Sequence, residues 1–306
     1  MEQEKVLLTE TYCMLKKIEA FYLRKVLPKV FRKRVRDTSF FRRWWYDPMN
    51  YARIIELPLT VSMMELEEGQ KILDISSPKL LSLYLGTNGF PDITVSDLVD
   101  DFSEDFVVFS GEFHFSPGIE IFDATEMPLK DNTFDRIFSV SVLEHIPEDG
   151  DIGVICESER VLKKGGVFVI TLPAGIEYSE EWLSERDFSW PGTSRGDGKV
   201  LFQKRYDKAS IMKRFSGCGL EIEDIVFIAE KPIRPPEYSD NGRLLFNYYY
   251  LEDLPLIRLL RKITRLLKIP LLLYAARRSY ALSMQYLTRE GTDENIREVA
   301  VKLRKK

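Results

Sequence analysis

Three carboxylates stand where this chain can do chemistry. Asp74 follows Lys71-Ile72-Leu73, Asp97 follows Ile93-Thr94-Val95-Ser96, and Asp123 follows Ile119-Glu120-Ile121-Phe122. Each run is apolar and β-branched enough to read as a short strand. A carboxylate at or just past a strand end can accept hydrogen bonds from hydroxyl and amino groups of a ligand laid across the sheet. Ser139-Val140 ends a fourth such run, and His145, one of two histidines, lies shortly beyond it. A histidine there has an unperturbed pKa suited to a general base. A structural or ligand-orienting role is the other reading of His145, and an exposed helix position is that of Glu144.

The turn after Asp74-Ile75 reads Ser76-Ser77-Pro78-Lys79 and contains no glycine, although close backbone approach to a ligand usually asks for one. Its residues suggest a working turn all the same. Ser77 is expected to cap the next helix with its hydroxyl, Pro78 suits a first helical position, and the exposed N–H groups there can face a carboxylate. Asp97 lies roughly 20 residues past that turn, the spacing at which an acid reaches ribose hydroxyls. Leu98 flanks it. Ala124 and Thr125 follow Asp123, and Met127 is either a ring-packing residue or core.

The elements that must position these groups alternate. Strands are predicted over 71–75, 93–96, 119–122, 136–140 and 167–172, with helices over 79–85 and near 152–162 between them. Such alternation predicts an α/β fold, a doubly wound, mostly parallel sheet. Residues 1–66 read as an N-terminal helical cap, with Leu15, Ile18, Phe21, Tyr22 and Val26 near helical spacing and Pro28 as a break. The central domain spans 67–250. Within it, 177–206 is an insertion rich in Gly, Ser, aromatic and charged residues, a plausible lid after a strand end. A helix over 208–215 and strands over 220–228 and 244–250 follow, the two strands forming an antiparallel sheet edge. Residues 251–306 are expected to be amphipathic helices, a C-terminal extension.

Candidate acceptor residues come from the segments flanking the strand ends: Tyr51 and Arg53 from the cap, and Trp182, Trp190, Arg205 and Tyr206 from the insertion. Aromatic and cationic groups together suit a flat or anionic molecule, and packing within the cap is the alternative for each aromatic.

Composition narrows the class. The chain has 306 residues, 44% of them hydrophobic, enough for one large α/β domain with additions. Cys13, Cys156 and Cys218 are odd in number and far apart in sequence, without metal-ligand spacing, so no bound metal and a reducing, cytoplasmic location are expected. The acidic opening Met1-Glu2-Gln3-Glu4 argues against a signal peptide. Net charge is −4, but basic residues crowd 24–43 and 258–268 around an acidic centre. The second basic run alternates with Leu256, Leu259, Leu260, Ile263, Leu266 and Leu267, which fits either a core-facing helix or peripheral contact with an anionic membrane. No nucleic-acid reader motif is present. The implied partner is a small-molecule substrate, and the sequence leaves the oligomeric state open.

The run Phe122-Asp123-Ala124-Thr125-Glu126-Met127-Pro128-Leu129, then Phe134-Asp135-Arg136-Ile137-Phe138-Ser139, then Val142-Leu143-Glu144-His145-Ile146-Pro147, resembles the middle of a class I S-adenosylmethionine-dependent methyltransferase. Val161-Leu162-Lys163-Lys164-Gly165-Gly166 with Val167-Phe168-Val169-Ile170 extends the resemblance to the subgroup that holds the ubiquinone and menaquinone C-methyltransferases, over roughly 68–230. The resemblance implies a Rossmann-like methyltransferase sheet and S-adenosylmethionine as cofactor, leaving S-adenosylhomocysteine as product. It assigns Asp74, Ile75, Ser76 and Ser77 to the cofactor turn, Asp97 and Leu98 to the ribose, Asp123, Ala124 and Thr125 to the adenine, and Ser139 and Val140 to the methionine portion. The glycine-free turn departs from the family pattern. The expected activity is methylation of a small molecule on oxygen, nitrogen or carbon, such as a natural-product, lipid, quinone or sugar precursor. A non-catalytic scaffold or partner subunit is the alternative. A nicotinamide enzyme ranks last, because the GxGxxG of a pyrophosphate site is missing.

Overall fold

The computed structural model describes residues 2–30, 32–38, 49–50, 52–184, 198–231, 259–260, 262–263, 272–292 and 295–306. Among these, α1 (Glu2–Phe21) runs into a π-turn over Tyr22–Val26 and the short helices α2 (Leu27–Val30) and α3 (Lys33–Arg36). The expected break at Pro28 is instead this turn. Leu27 N–H bonds to the Tyr22 carbonyl, an i→i−5 closure placed just before a residue with no N–H to give. Helix α4 (Arg53–Met63) is buried on nearly every side, from Ile54 to Met63, and packs between α1 and the sheet.

The sheet is built from β1 (Ile72–Ile75), β2 (Ile93–Asp97), β3 (Gly118–Ile121), β4 (Phe134–Val140), β5 (Leu162–Pro173), β8 (Leu220–Glu230), β9 (Gln285–Thr288) and β10 (Ile296–Lys305). Their order is β3-β2-β1-β4-β5-β10-β8-β9. The first five are parallel, in the register Asp74↔Val95, Asp97↔Ile121 and Asp74↔Phe138, and β10 enters antiparallel between β5 and β8. Helices α5 (Lys79–Thr87), α6 (Ser103–Gly111), α7 (Gly150–Val161) and α8 (Lys208–Phe215) flank it, and α9 (Leu272–Met284) packs back on α1. There the Tyr274 hydroxyl donates to Glu19 at 2.6 Å, and Arg278 pairs with the same carboxylate.

Each face of the sheet carries its own core. One gathers Phe21, Tyr22, Leu81, Phe106, Phe109 and Phe138 under the N-terminal helices; the other gathers Phe134, Phe168, Tyr206, Phe215 and Phe227 under α7 and α8. Removing one wholly buried leucine such as Leu81 to alanine costs about 2–5 kcal/mol.

The structure corrects three expectations. Residues 285–288 and 296–305 are strands, not the C-terminal helices read from the sequence. The period-2 apolar set Val299, Val301, Leu303 faces a core while Lys302 and Arg304 form ion pairs with Glu65 and Glu223. The antiparallel partner of β8 is therefore β10; the strand expected over 244–250 lies outside the described residues. Cys156 on α7 and Cys218 after α8 are bonded as a disulfide with Cα atoms 4.9 Å apart, although 62 residues separate them, while Cys13 is free and exposed. The insertion contains a hairpin, β6 (Ser179–Ser184) against β7 (Lys199–Arg205), with 185–197 outside the described residues. Of the basic apolar stripe over 256–268, the structure describes only 259–260 and 262–263. No helix among the described residues is long and apolar enough to cross a membrane, and no metal-binding cluster occurs among them.

Candidate functional site

Strand order reverses between β1 and β4, so a crevice opens at their carboxyl ends. The turn after β1 sits at its centre. Ser76 takes φ +53°, the left-handed conformation that the absent glycine would favour. Asp74 is wholly buried and holds the turn: one oxygen accepts from Ser77 N–H at 2.8 Å, the other from the Ser82 hydroxyl. Burial raises its pKa, opposed by the Lys79 charge and those hydrogen bonds.

Ser77 does not cap the helix. Its Oγ lies 3.4 Å from the Ile75 carbonyl and accepts from Val140 N–H at 3.0 Å, and Ser139 Oγ donates to the same Ile75 carbonyl at 3.1 Å. Both serines are buried and lock the end of β4 to that of β1. The helix N-cap is Pro78, with no side-chain cap, and Lys79 opens α5.

Lys79 is the residue that sequence reasoning missed. Its ammonium lies 3.2 Å from Asp97 Oδ2 and 3.4 Å from the Ser96 carbonyl, 4.3 Å above the centre of the Phe102 ring. The other Asp97 oxygen accepts from Leu98 N–H at 3.0 Å. A basic residue one helical turn from the β1 acid could have been read as a partner for the β2 acid. Leu98 and Ile121, at neighbouring strand ends, expose 40% and 41% of their surface, leaving an apolar ledge beside Asp97.

Asp123 is exposed and closes an Asx turn, one oxygen accepting from Thr125 N–H at 2.9 Å and from its hydroxyl at 2.7 Å. The loop behind it is fastened to α7. Glu157 accepts from Met127 N–H at 2.7 Å, and Arg160 donates to the Met127 and Leu129 carbonyls. Met127 itself is core. Gly153 lets α7 approach: a Cβ there would meet Thr125 Cβ at 3.3 Å.

Beyond β4 the chain turns through Ser141 (φ +51°) into a 3-10 turn, Leu143–His145. Arg53 on α4 donates to Ser141 Oγ at 2.7 Å and pairs with Glu56, and Ser141 Oγ donates to Glu56 Oε1 at 2.9 Å. Glu144 is 1% exposed, with Oε2 unpartnered. His145 Nδ1 bonds the Phe202 carbonyl on β7, which fixes the proton on Nδ1, and Nε2 lies 3.7 Å from Glu144 Oε1. Burial lowers the His145 pKa, the Phe202 carbonyl opposes this, and Arg53 lowers it further, so the ring is neutral near pH 7.

Of the acceptor candidates, Arg53 on α4 and Arg205 at the end of β7 both act on the Glu298 carboxyl, Arg205 also donating to the Ala174 carbonyl. Trp182 is half-buried with its indole N–H on Glu180 at 3.2 Å. Tyr206 is wholly buried against Phe215 and gives its hydroxyl to Asp151 at 2.9 Å, which makes it part of the core. Tyr51 and Trp190 lie outside the described residues.

Residues 82–170 match the family described as methyltransferase domain, a segment that begins after the atypical turn. A sterol 24-C-methyltransferase of Yarrowia lipolytica is 34% identical over 102 residues, 33% of this chain and 25% of that protein. The Schizosaccharomyces pombe sterol 24-C-methyltransferase is 31% identical over 121 residues, 39% and 31% of the respective chains. This chain thus spans a third or less of the curated relatives it matches. A solved S-adenosylmethionine-dependent methyltransferase from Mesorhizobium loti aligns over 81% of this chain and 96% of its own, with TM-score 0.46 and 12% identity. Over residues 82–170 the chain is thus similar to a methyltransferase domain.

Proposed function

We propose that this chain transfers a methyl group from S-adenosylmethionine to a small-molecule acceptor. The carrying observation is the row of strand-end acids Asp74, Asp97 and Asp123 on the adjacent strands β1, β2 and β3, within and beside a segment that matches the methyltransferase domain. The residues fit the cofactor. Ser76 already holds the left-handed turn, Leu98 and Ile121 offer an open ledge for the adenine, and Asp97, with a quarter of its side chain exposed, can reach the ribose. Ile75, Ser77, Ser139 and Val140 set the floor on which the methionine portion would rest. Asp123, Ala124 and Thr125 would meet the adenine edge.

The bound cofactor supplies an electrophilic methyl on a sulfonium, with a neutral thioether as leaving group. The protein then has to position and desolvate the acceptor. Arg53, Ser141, Glu144 and His145 occupy the end of β4 where an acceptor would lie, and neutral His145 is a candidate proton acceptor. The chain that the acceptor must pass is the β6–β7 hairpin.

A second reading, a methyltransferase-like scaffold without catalysis, draws on the same turn: it carries no glycine, and Lys79 already occupies Asp97. Calorimetric titration with S-adenosylmethionine and S-adenosylhomocysteine decides between them. Micromolar binding supports the enzyme; a folded sample that binds neither refutes it and supports the scaffold.

A further inference from the structure

A set of buried charges lies under α4, the 3-10 turn after β4, β7 and β10. Three arginines contribute, and each has its own carboxylate: Arg53 with Glu56, Arg205 with Glu181 at 3.8 Å, and Arg297 with Glu230 at 3.9 Å. Two carboxylates are left over, Glu144 and Glu298. Each has a buried Oε2 with no hydrogen-bond partner, and Glu144 is 1% exposed. Glu298 pairs in register with Pro173, so it lies level with the carboxyl end of β5. The two carboxylates are near enough for the charge on Glu298 to act on Glu144, and Arg53 acts on both.

Buried carboxylate oxygens without partners are costly, and the cost is relieved by a proton or a hydrogen-bond donor, most fully by a cationic one. Arg53, Arg205 and Arg297 act on Glu298, and Arg53 on Glu144, without a hydrogen bond to either open oxygen, and Lys204 is committed to Asp151 and the Glu148 carbonyl. An anionic acceptor would add charge of the wrong sign to a cluster whose arginines are already matched. A neutral hydroxyl would satisfy one oxygen and leave the excess charge.

We propose that this cluster of buried carboxylates receives the acceptor as an amine, its nitrogen held between Glu144 and Glu298. This rests on the methyl-transfer reading and names its substrate class. An ammonium group brings three donors and one positive charge, which match two open oxygens and the charge surplus. Delivery of the nitrogen as a nucleophile follows: an N–H bond breaks, its proton passes to a carboxylate oxygen, and the electron pair stays on nitrogen. Burial supports this step, since it raises both carboxyl groups above the ordinary carboxylate range, Glu298 to about 8, and so makes either carboxylate a stronger proton acceptor.

The test is thermal unfolding of the full chain with methylamine, ethanolamine and benzylamine hydrochlorides, each against its hydroxyl counterpart (methanol, ethylene glycol, benzyl alcohol) with sodium chloride at equal ionic strength. An amine about five-fold above its Kd should raise Tm by about 1–2 °C over its counterpart. The difference should vanish in Glu144→Gln and Glu298→Gln, whose far-UV circular dichroism shows them folded. Calorimetry of the most effective amine in buffers of different ionisation enthalpy should show proton release at pH 7 that both variants reduce. Equal shifts for every amine and its counterpart, or shifts retained in both variants, overturn the proposal. S-adenosylhomocysteine titration of the same samples separates the two readings. Its binding without amine preference sinks the amine site alone, and amine preference without its binding sinks methyl transfer.

Discussion

Replacing Asp97 with alanine should weaken the cofactor and loosen the fold by separable amounts. In the folded chain the carboxylate already serves two donors, Lys79 Nζ at 3.2 Å and Leu98 N–H at 3.0 Å. Two ribose hydroxyls would add charge-assisted bonds worth about 1.5–3 kcal/mol each in full, and sharing with Lys79 reduces the sum. A loss of about 2–3 kcal/mol follows, or roughly 30- to 150-fold in Kd for S-adenosylhomocysteine. The same substitution strips Lys79, 6% exposed, of its carboxylate and leaves it the Ser96 carbonyl and the Phe102 ring. That costs about 1–3 kcal/mol of stability. The double variant Lys79→Met/Asp97→Ala removes the unpaired ammonium and should recover most of the stability and none of the affinity. Calorimetry and urea unfolding of wild type and both variants measure the two quantities. A folded Asp97→Ala protein with Kd within about two-fold of wild type, or a double variant that regains affinity, would refute the ribose assignment.

Glu298 gives a pH-dependent test. Its folded pKa is raised to about 8 by burial and the Glu56 charge, against Arg205, Arg53 and Arg297, so folding favours the protonated form. Stability from this group is full below the ordinary carboxyl range near 4.5 and is lost as pH rises toward 8. Glu298→Gln should therefore gain on wild type by a few kcal/mol between pH 5 and 8, and a constant difference in urea midpoints across that range would contradict the assignment. Asp151 has the opposite sign. Burial raises its carboxyl, but Arg214 and Lys204 outweigh this and hold it below the usual range. Its contribution is present above pH 4 and lost on acidification. Asp151→Asn should cost about 3–5 kcal/mol at neutral pH, since Lys204 is wholly buried, and should flatten the acid limb of the stability curve. Arg136 donates to the Met64 carbonyl at 2.6 Å, to Glu65 at 2.7 Å and to Asp135 at 2.9 Å, closing the carbonyl end of α4 onto β4. Arg136→Met should lower the urea midpoint by the equivalent of about 2–4 kcal/mol with m unchanged, since one buried and two part-buried carbonyls lose their partner.

Local pattern carried much of this protein. The runs ending in Asp74, Asp97, Phe122 and Val140 are short and β-branched, and each is a strand or ends beside one, because alternation of apolar strands and helices leaves few ways to bury both faces of a sheet. The acids after those strands were legible for the same reason: a position just past a strand end is fixed by the strand. Sequence alone could not show who pairs with whom. Lys79 meets Asp97, and Glu157 with Arg160 holds the Asp123 loop, only because neighbouring strands and α7 bring together residues 18 to 33 apart. The last strand escapes the sequence reading because Ile296–Lys305 alternates in a charged context, and a strand inserted antiparallel between β5 and β8 is defined by partners 67 to 137 positions away. The cysteines were judged by spacing, whereas α7 and the turn after α8 bring Cys156 to Cys218. The surplus of carboxylate under α4 belongs wholly to tertiary structure. Glu56, Glu144 and Glu298 come from three distant segments, and burial raises the last two only once the sheet has closed around them.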